Sequence, residues 1–262
     1  MQQITSLQNP LVKYLFTLTQ KSKQRKEHQQ FIIEGKREIT LALQAGYLIE
    51  QLFICPSILS EAEVERLFAG YRCTAISAEV YEKLTYRSST EGILALAQCK
   101  DHALSGSVFQ KAHPLVLVAE APEKPGNIGA LLRTADAAGI DAVYIANPKT
   151  DLYNPNIIRS SVGTVFTVPI FMGSSGDIRS HLQQQGFAIY CAALSASVPY
   201  DEASYRGRTA IVVGTEDIGL SPTWLEVSSQ NIIIPMQGKI DSMNVSVSAA
   251  ILIFEAVRQR KS

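Results

Sequence analysis

Grouped cysteine is missing from this chain. Cys55, Cys73, Cys99 and Cys191 are scattered with no C-x-x-C pair, so neither a disulfide framework nor a zinc site is suggested, and buried free thiols are expected. No apolar run approaches the roughly 20 residues needed to span a bilayer. The opening residues Met1-Gln2-Gln3-Ile4 also lack the charged-then-apolar layout of a signal peptide. A globular cytoplasmic protein without a membrane partner is expected. An excess of charge of either sign is absent too: 24 Lys and Arg balance 24 Asp and Glu, so any nucleic-acid contact must come from local basic patches. Neither G-x-G-x-x-G nor the P-loop pattern occurs, which removes the two commonest nucleotide-binding explanations for an α/β sheet. Internal repeats and low-complexity tracts are also lacking.

What the chain does have is length and apolar content. With 262 residues and 46% hydrophobic composition it can bury a sizeable core, as one large domain or two small ones. Up to about Cys99, short strand-like runs alternate with helical ones. Strands are read at Phe31 to Ile33, Gln51 to Ile54 and Gly92 to Ala97, with helices after Gly35 and around Glu61 to Phe68. Lys100 to His113 is polar, contains Ser105-Gly106-Ser107 and breaks the apolar pattern, which reads as a linker. The domains drawn are therefore 1–99, a linker 100–113, and 114–262.

Beyond the linker the pattern becomes a regular α/β alternation. Near-continuous apolar strands lie at Leu115 to Ala119, Ala142 to Ala146, Ala188 to Ala192, Ala210 to Val213 and Ile232 to Ile234. Strands of this kind imply a parallel sheet covered on both faces. Helical segments fall at Ile128 to Ala138, Ser174 to Gln185 and Val245 to Arg260.

In such a sheet the ligand site is built by loops beyond the carboxyl ends of the strands, and three junctions there are unusual. The first, A-E-A-P-E-K-P-G-N-I-G-A-L-L-R-T-A from Ala119 to Ala135, turns at Pro125 and Gly126, and Asn127 can cap the helix that carries Arg133. The second, I-V-V-G-T-E-D-I-G-L-S-P from Ile211 to Pro222, ends a strand at Gly214, which permits close approach to a ligand. Its Glu216 and Asp217 suit a cation or proton transfer, or simply complement a helix dipole. The third, I-P-M-Q-G-K-I-D-S-M-N-V-S-V-S-A-A from Ile234 to Ala250, offers Asp241, Ser242 and Asn244 as caps. Ser246, Ser248, Ala249 and Ala250 form a small-residue stripe suited to close packing. Capping and packing explain most of that segment by composition alone.

In this order and spacing the three junctions resemble the three signature motifs of the SpoU (TrmH) family within the SPOUT class of RNA methyltransferases. The resemblance covers Leu115 to Arg260. The N-terminal part is similar more loosely to the small α/β domain, of a ribosomal-protein-type RNA-binding fold, that precedes the catalytic domain in many members. S-S-T-E-G-I-L-A-L-A from Ser88 to Ala97 resembles that domain's usual ending.

The resemblance implies a parallel sheet with a deep trefoil knot, S-adenosylmethionine as cofactor, and methylation of a ribose 2′-hydroxyl in RNA, ribosomal in preference to transfer RNA. It implies a homodimer through the C-terminal domain; no DNA partner and no metal are expected. Cofactor contacts carry over to Gly214, Ile234 and Met243, where methionine replaces the commoner leucine, a volume-conserving change. The catalytic set carries over to Asn127, Arg133, Glu216, Ser242 and Asn244. Because guanidinium is a poor general base at neutral pH, an electrostatic role is expected for Arg133. RNA capture is expected from the basic cluster Lys21, Lys23, Arg25 and Lys26 with Lys36 and Arg37, softened by Glu27, Glu34 and Glu38, or else that cluster is a solvated charged loop. Two rivals stay open: a non-catalytic RNA-binding or ribosome-assembly protein on the same fold, and a base-methylating enzyme of the knotted class.

Overall fold

The structure, a computed structural model, describes residues 3–86, 91–106, 109–215 and 217–261. Two compact units are present, one formed by Met1–Asp101 with Asp151–Thr167, the other by His102–Thr150 with Val168–Ser262.

The first unit runs β1 (Gln3–Ile4), α1 (Pro10–Gln20), α2 (Ser22–His28), β2 (Gln30–Glu34), α3 (Lys36–Gln44), β3 (Ile49–Ile54), α4 (Glu61–Phe68), β4 (Cys73–Ile76), α5 (Ala78–Leu84) and β5 (Ile93–Gln98). Its sheet has the order β1-β4-β3-β5-β2, with β5 antiparallel to both β2 and β3 and the remaining pairs parallel. Helix starts are set by local chemistry. Asn9 accepts a hydrogen bond from the Leu11 amide ahead of Pro10, and Ser60 and Ser77 cap α4 and α5 in the same manner. Val12, Leu15 and Leu18 recur every third position of α1 and pack with Val80, Tyr81 and Leu84 of α5 over Ile32, Phe53, Ile76, Leu94 and Leu96. Each such fully buried apolar side chain contributes about 1.5–3 kcal/mol.

The second unit opens with β6 (Leu115–Glu120), α6 (Pro125–Ala138) and β7 (Ala142–Ala146). The chain then contributes α7 (Pro155–Ser160) and α8 (Thr164–Thr167) to the first unit. There Tyr153 stacks on Phe31 at 4.1 Å between centroids, Phe166 stacks on the same ring at 6.0 Å, and a Cβ on Gly163 (φ +86°) would lie 2.9 Å from Leu41. The stretch 114–262 is thus interrupted by a segment belonging to the other core, which no single cut along the sequence expresses. The second unit resumes with β8 (Ile170–Gly173), α9 (Ser175–Gln184), β9 (Ala188–Ala192), β10 (Ser197–Pro199), β11 (Thr209–Val213), α10 (Pro222–Leu225), β12 (Gln230–Ile233) and α11 (Val245–Arg260).

Its seven-stranded sheet has the order β10-β12-β9-β11-β6-β7-β8, and every pair is parallel. All residues of β6, β7 and β11 are buried, as expected for strands covered on both faces. Val116 and Val118 pack with Ile178 and Leu182 of α9 and Trp224 of α10, and the two-residue strand period sends Leu117 and Ala119 to the opposite face. Helices α6 and α11 pack on each other, and α11 packs on β11 and β6. Strand β11 lies between β6 and β9 although it follows both, so the direction of chain progress reverses beside β6. That reversal opens a crevice at the strand ends.

Three sequence expectations change. Helix α6 begins at Pro125 with Lys124 at the cap position, so Asn127 sits inside the first turn and does not cap it. Proline at the first helical position starts the helix unaided. Lys23, Arg25 and Lys26 of the basic cluster lie on helix α2, with Lys21 at its cap position, and not on a loop, and Arg25 is only 2% exposed. Its guanidinium pairs with Asp151, itself nearly buried, and donates to the Leu18 carbonyl at 2.6 Å, which withdraws it from any RNA surface. Lys36 also has a structural partner, Glu63 at 2.9 Å, and exposed Arg37 lies 3.2 Å from buried Glu38.

Candidate functional site

Val213 ends β11 and Gly214 begins a loop that doubles back on itself. Thr215 and Gly219 exchange backbone hydrogen bonds of 3.2 and 3.1 Å, and the Thr215 hydroxyl accepts from the Ile218 amide at 3.2 Å. A Cβ on Gly214 would fall 2.3 Å from the Gly219 carbonyl carbon and oxygen and 2.6 Å from the Leu220 nitrogen, so only glycine allows this return. Gly219 adopts φ +73°, the left-handed region that glycine enters without a Cβ penalty.

Three further segments converge on the same place. Strand β9 runs out through Ala192 to Ser195, where Asn231 of β12 donates to the Ser195 carbonyl at 3.1 Å and the Ser197 hydroxyl donates to the Ala193 carbonyl at 2.7 Å. Strand β12 stops at Ile233, leaving Ile234 as the first loop residue. The loop then passes Met236 and Asp241 to enter α11 at Asn244. These segments enclose a cavity of about 440 Å³ whose lining includes Gly214, Ile234, Ser242, Met243, Ser195 and Leu220. The volume lies within the roughly 300–1,000 Å³ of small-molecule sites. Cys191, buried in β9 just before the cavity wall, has its thiol pushed up to about 11 by burial. It stays protonated near neutrality and is a packing residue, not a nucleophile.

Asn127 and Asn244 come together beside this cavity. The Asn244 side-chain nitrogen donates to Asn127 Oδ1 at 3.2 Å, joining residues 117 positions apart. Its oxygen accepts from the Ser246 amide at 2.9 Å and the Ser246 hydroxyl at 2.6 Å, so Asn244 also caps α11. Ser242 lines the cavity and donates weakly to Asp241 at 3.4 Å. Arg133 is exposed on α6 and outside the cavity lining, and its guanidinium makes no ion pair or hydrogen bond among the described residues. Glu216 lies outside the described residues.

Of the residues singled out by sequence, the cavity gathers Gly214, Asp217, Ile234, Asp241, Ser242, Met243 and Ser248, and the two asparagines pair next to it. Sequence reasoning missed the β9 exit, Ala192 to Ser195. The available signal was the same strand-end rule applied to the other junctions, since Ala188 to Ala192 reads as a parallel strand. Of the basic cluster, Lys21, Lys23 and Lys26 are exposed in the first unit.

Known proteins resemble this chain over nearly its whole length. The profile of the SpoU rRNA Methylase family matches residues 114–254, and that of the MRM3-like substrate binding domain matches residues 9–95. Over 254 residues the chain is 30% identical to the 23S rRNA (guanosine(2553)-2′-O)-methyltransferase RlmP of Bacillus subtilis (strain 168), covering 97% of this chain and 98% of the relative. A solved RNA 2′-O ribose methyltransferase is 40% identical, with a TM-score of 0.87 and coverage of 100% of both chains. An AdoMet-bound rRNA methyltransferase from Sinorhizobium meliloti is 26% identical with a TM-score of 0.88, covering 98% of this chain and 97% of that one.

Proposed function

The chain belongs to the SpoU rRNA methylase family, and on that footing we propose that it transfers a methyl group from S-adenosylmethionine to a ribose 2′-hydroxyl of large-subunit ribosomal RNA. The observation that carries the reading is the convergence of the β9, β11 and β12 loops on one cavity, with the Asn127–Asn244 pair at its side. The cavity fits the cofactor: it is large enough, its walls mix backbone with aliphatic side chains, and Gly214 gives it a close backbone edge. The knotted threading of the C-terminal segment belongs to the same reading.

When bound, the cofactor supplies an activated methyl group, and the protein supplies alignment. Gly214, Ile234 and Met243 hold the cofactor. Ser242 fixes the loop that leads into α11. Arg133 has no described partner to neutralise it, and it grips the phosphate beside the target ribose and stabilises the developing alkoxide. Asn127 and Asn244 orient the arginine or the sugar, and Glu216 positions without abstracting. Lys21, Lys23, Lys26 and Arg37 contact RNA phosphates. The catalytic units pair as a homodimer through α11, where Val247 and Phe254, seven positions apart and each 48% exposed, offer an apolar face.

The test is methyl transfer from labelled S-adenosylmethionine to unmodified ribosomal and transfer RNA, with nucleoside analysis of the product. A 2′-O-methylated nucleoside from ribosomal RNA, lost in Arg133→Ala, is expected. Modified transfer RNA alone would move the substrate class, a methylated base would change the reaction, and near-wild-type turnover in Arg133→Ala would overturn the role given to that residue.

A further inference from the structure

The first junction contains one buried polar side chain that the chemistry above does not use. Glu120 is the last residue of β6 and only 5% exposed. Its Oε2 accepts from the Ser221 amide at 2.8 Å, and its Oε1 accepts from the Ser221 hydroxyl at 2.7 Å and the Ser175 hydroxyl at 2.6 Å. The Ser175 oxygen in turn accepts from Asn147 Nδ2 at 2.8 Å and from the indole nitrogen of Trp224 at 3.3 Å. With both of those donors aimed at it, the Ser175 hydroxyl has its proton free for Glu120. The Glu120 side chain thus accepts three hydrogen bonds. Among the described residues it has no cationic partner.

Burying a carboxylate without a counter-ion is costly, and Glu120 stands where the cost has an obvious use. Ser221 follows Leu220, and Gly214, Thr215, Asp217, Ile218, Gly219 and Leu220 all line the cavity. At its first end the loop is held by β11 itself. At its second end the polar attachment is the double grip of Glu120 on Ser221, whose hydroxyl is consequently not used to cap α10. A bond from the central strand thus sets where the loop closes.

We propose that Glu120 is a positioning residue for the cofactor site: by gripping Ser221 it holds Asp217, Ile218, Gly219 and Leu220, the return of the β11 loop, in the shape that receives S-adenosylmethionine. The inference rests on the cofactor reading above. Glu120 acts through Ser221 and the loop, so its loss weakens cofactor binding selectively and leaves RNA capture by the first unit intact.

The experiment compares the full-length wild type with Glu120→Ala, Glu120→Gln, Ser221→Ala and Leu182→Ala, the last a core truncation on α9 away from the cavity lining. Calorimetric Kd values for S-adenosylmethionine and S-adenosylhomocysteine, the Kd for ribosomal RNA, and Tm are measured for each. Glu120→Ala is expected to raise both cofactor Kd values about tenfold or more while RNA affinity stays within about twofold. Glu120→Gln keeps an acceptor for the Ser221 amide and its NH₂ can donate to the Ser221 hydroxyl, but not to the Ser175 hydroxyl, whose acceptor sites are taken by Asn147 and Trp224, so it recovers only part of the loss and falls between wild type and Glu120→Ala. Ser221→Ala deletes a single hydroxyl, keeps the test alive if Glu120→Ala does not fold, and raises the cofactor Kd about threefold to tenfold. Leu182→Ala lowers Tm and leaves cofactor affinity unchanged. Unchanged cofactor Kd values in folded Glu120→Ala or Ser221→Ala would overturn the proposal, as would an equal loss in Leu182→Ala. Failure of the wild type to bind either cofactor form would instead sink the methyltransferase reading on which the proposal stands.

Discussion

In α2, Arg25 stands among lysines in the sequence yet is buried against Asp151 and Leu18, whereas Lys21, Lys23 and Lys26 stay exposed. In the strand-end loops of the second unit the reverse holds: Asn127, which reads as an ordinary helix cap, does not cap and instead meets Asn244 across 117 positions. A charged cluster thus conceals a structural residue, and a capping signal conceals a long-range partner. The difference lies in where partners come from. Arg25 is claimed by a segment inserted from the other half of the chain, and Asn127 by the start of the last helix; neither partner is local.

The largest effect that would break this comparison is on Arg25. Arg25→Ala leaves Asp151 buried without its cation and is expected to cost about 3–5 kcal/mol, seen as a fall in Tm of about 10 °C or more. Replacing Lys21, Lys23 and Lys26 together is expected to leave Tm within about 2 °C while flattening the salt dependence of RNA binding, by about 0.7 in log–log slope for each phosphate no longer neutralised. A stable Arg25→Ala with weakened RNA binding would reverse the assignment.

Next comes Gly214→Ala. With backbone atoms at 2.3 Å the loop must open, and cofactor Kd is expected to rise at least about a hundredfold, near 2.7 kcal/mol. Calorimetry with S-adenosylmethionine checks it, and an unchanged Kd would show that the loop does not shape the site.

The smallest effect sharpens the comparison from the other side. Asn244→Ala loses a helix cap as well as its partner and should cost about 1 kcal/mol of stability, whereas Asn127→Ala, which is not at the cap position of α6, should cost less. In a double-mutant cycle on methyl-transfer rate the two asparagines are expected to couple by about 0.5–1 kcal/mol. Additive losses would mean that their contact has no bearing on turnover.

Much of the catalytic unit was legible. Ala142–Ala146, Ala188–Ala192 and Val245–Arg260 have the bounds that apolar continuity and helical length suggest, because strands buried on both faces carry an unmistakable pattern. The first unit was harder. Helix α1 escaped notice although Val12, Leu15 and Leu18 mark its buried face, and β1 and β4 are short strands whose pairing is parallel and non-local. Edge strand β10, three residues with intermediate burial, carries no periodic signal. At the site, Gly214, Ile234, Ser242 and Met243 were reached by resemblance and lie on the cavity. Glu120 sits inside the first motif, yet sequence assigns it no role, because its meaning depends on Ser175 and Ser221, which are 55 and 101 positions away.

The sequence by itself determined the parallel α/β sheet, the helix starts marked by proline and capping side chains, and the glycine without which the β11 loop has no room to return. Those follow from local sterics and from the two-residue and 3.6-residue periods. Only the tertiary structure decided that Asp151–Thr167 joins the first unit, that Arg25 is an internal ion pair, and that Asn127 faces Asn244. It alone tied Glu120 to the loop that lines the cavity. Each of these requires a partner distant in sequence, and the energy of a buried charge or hydrogen bond depends on that partner and not on the residue's own neighbours.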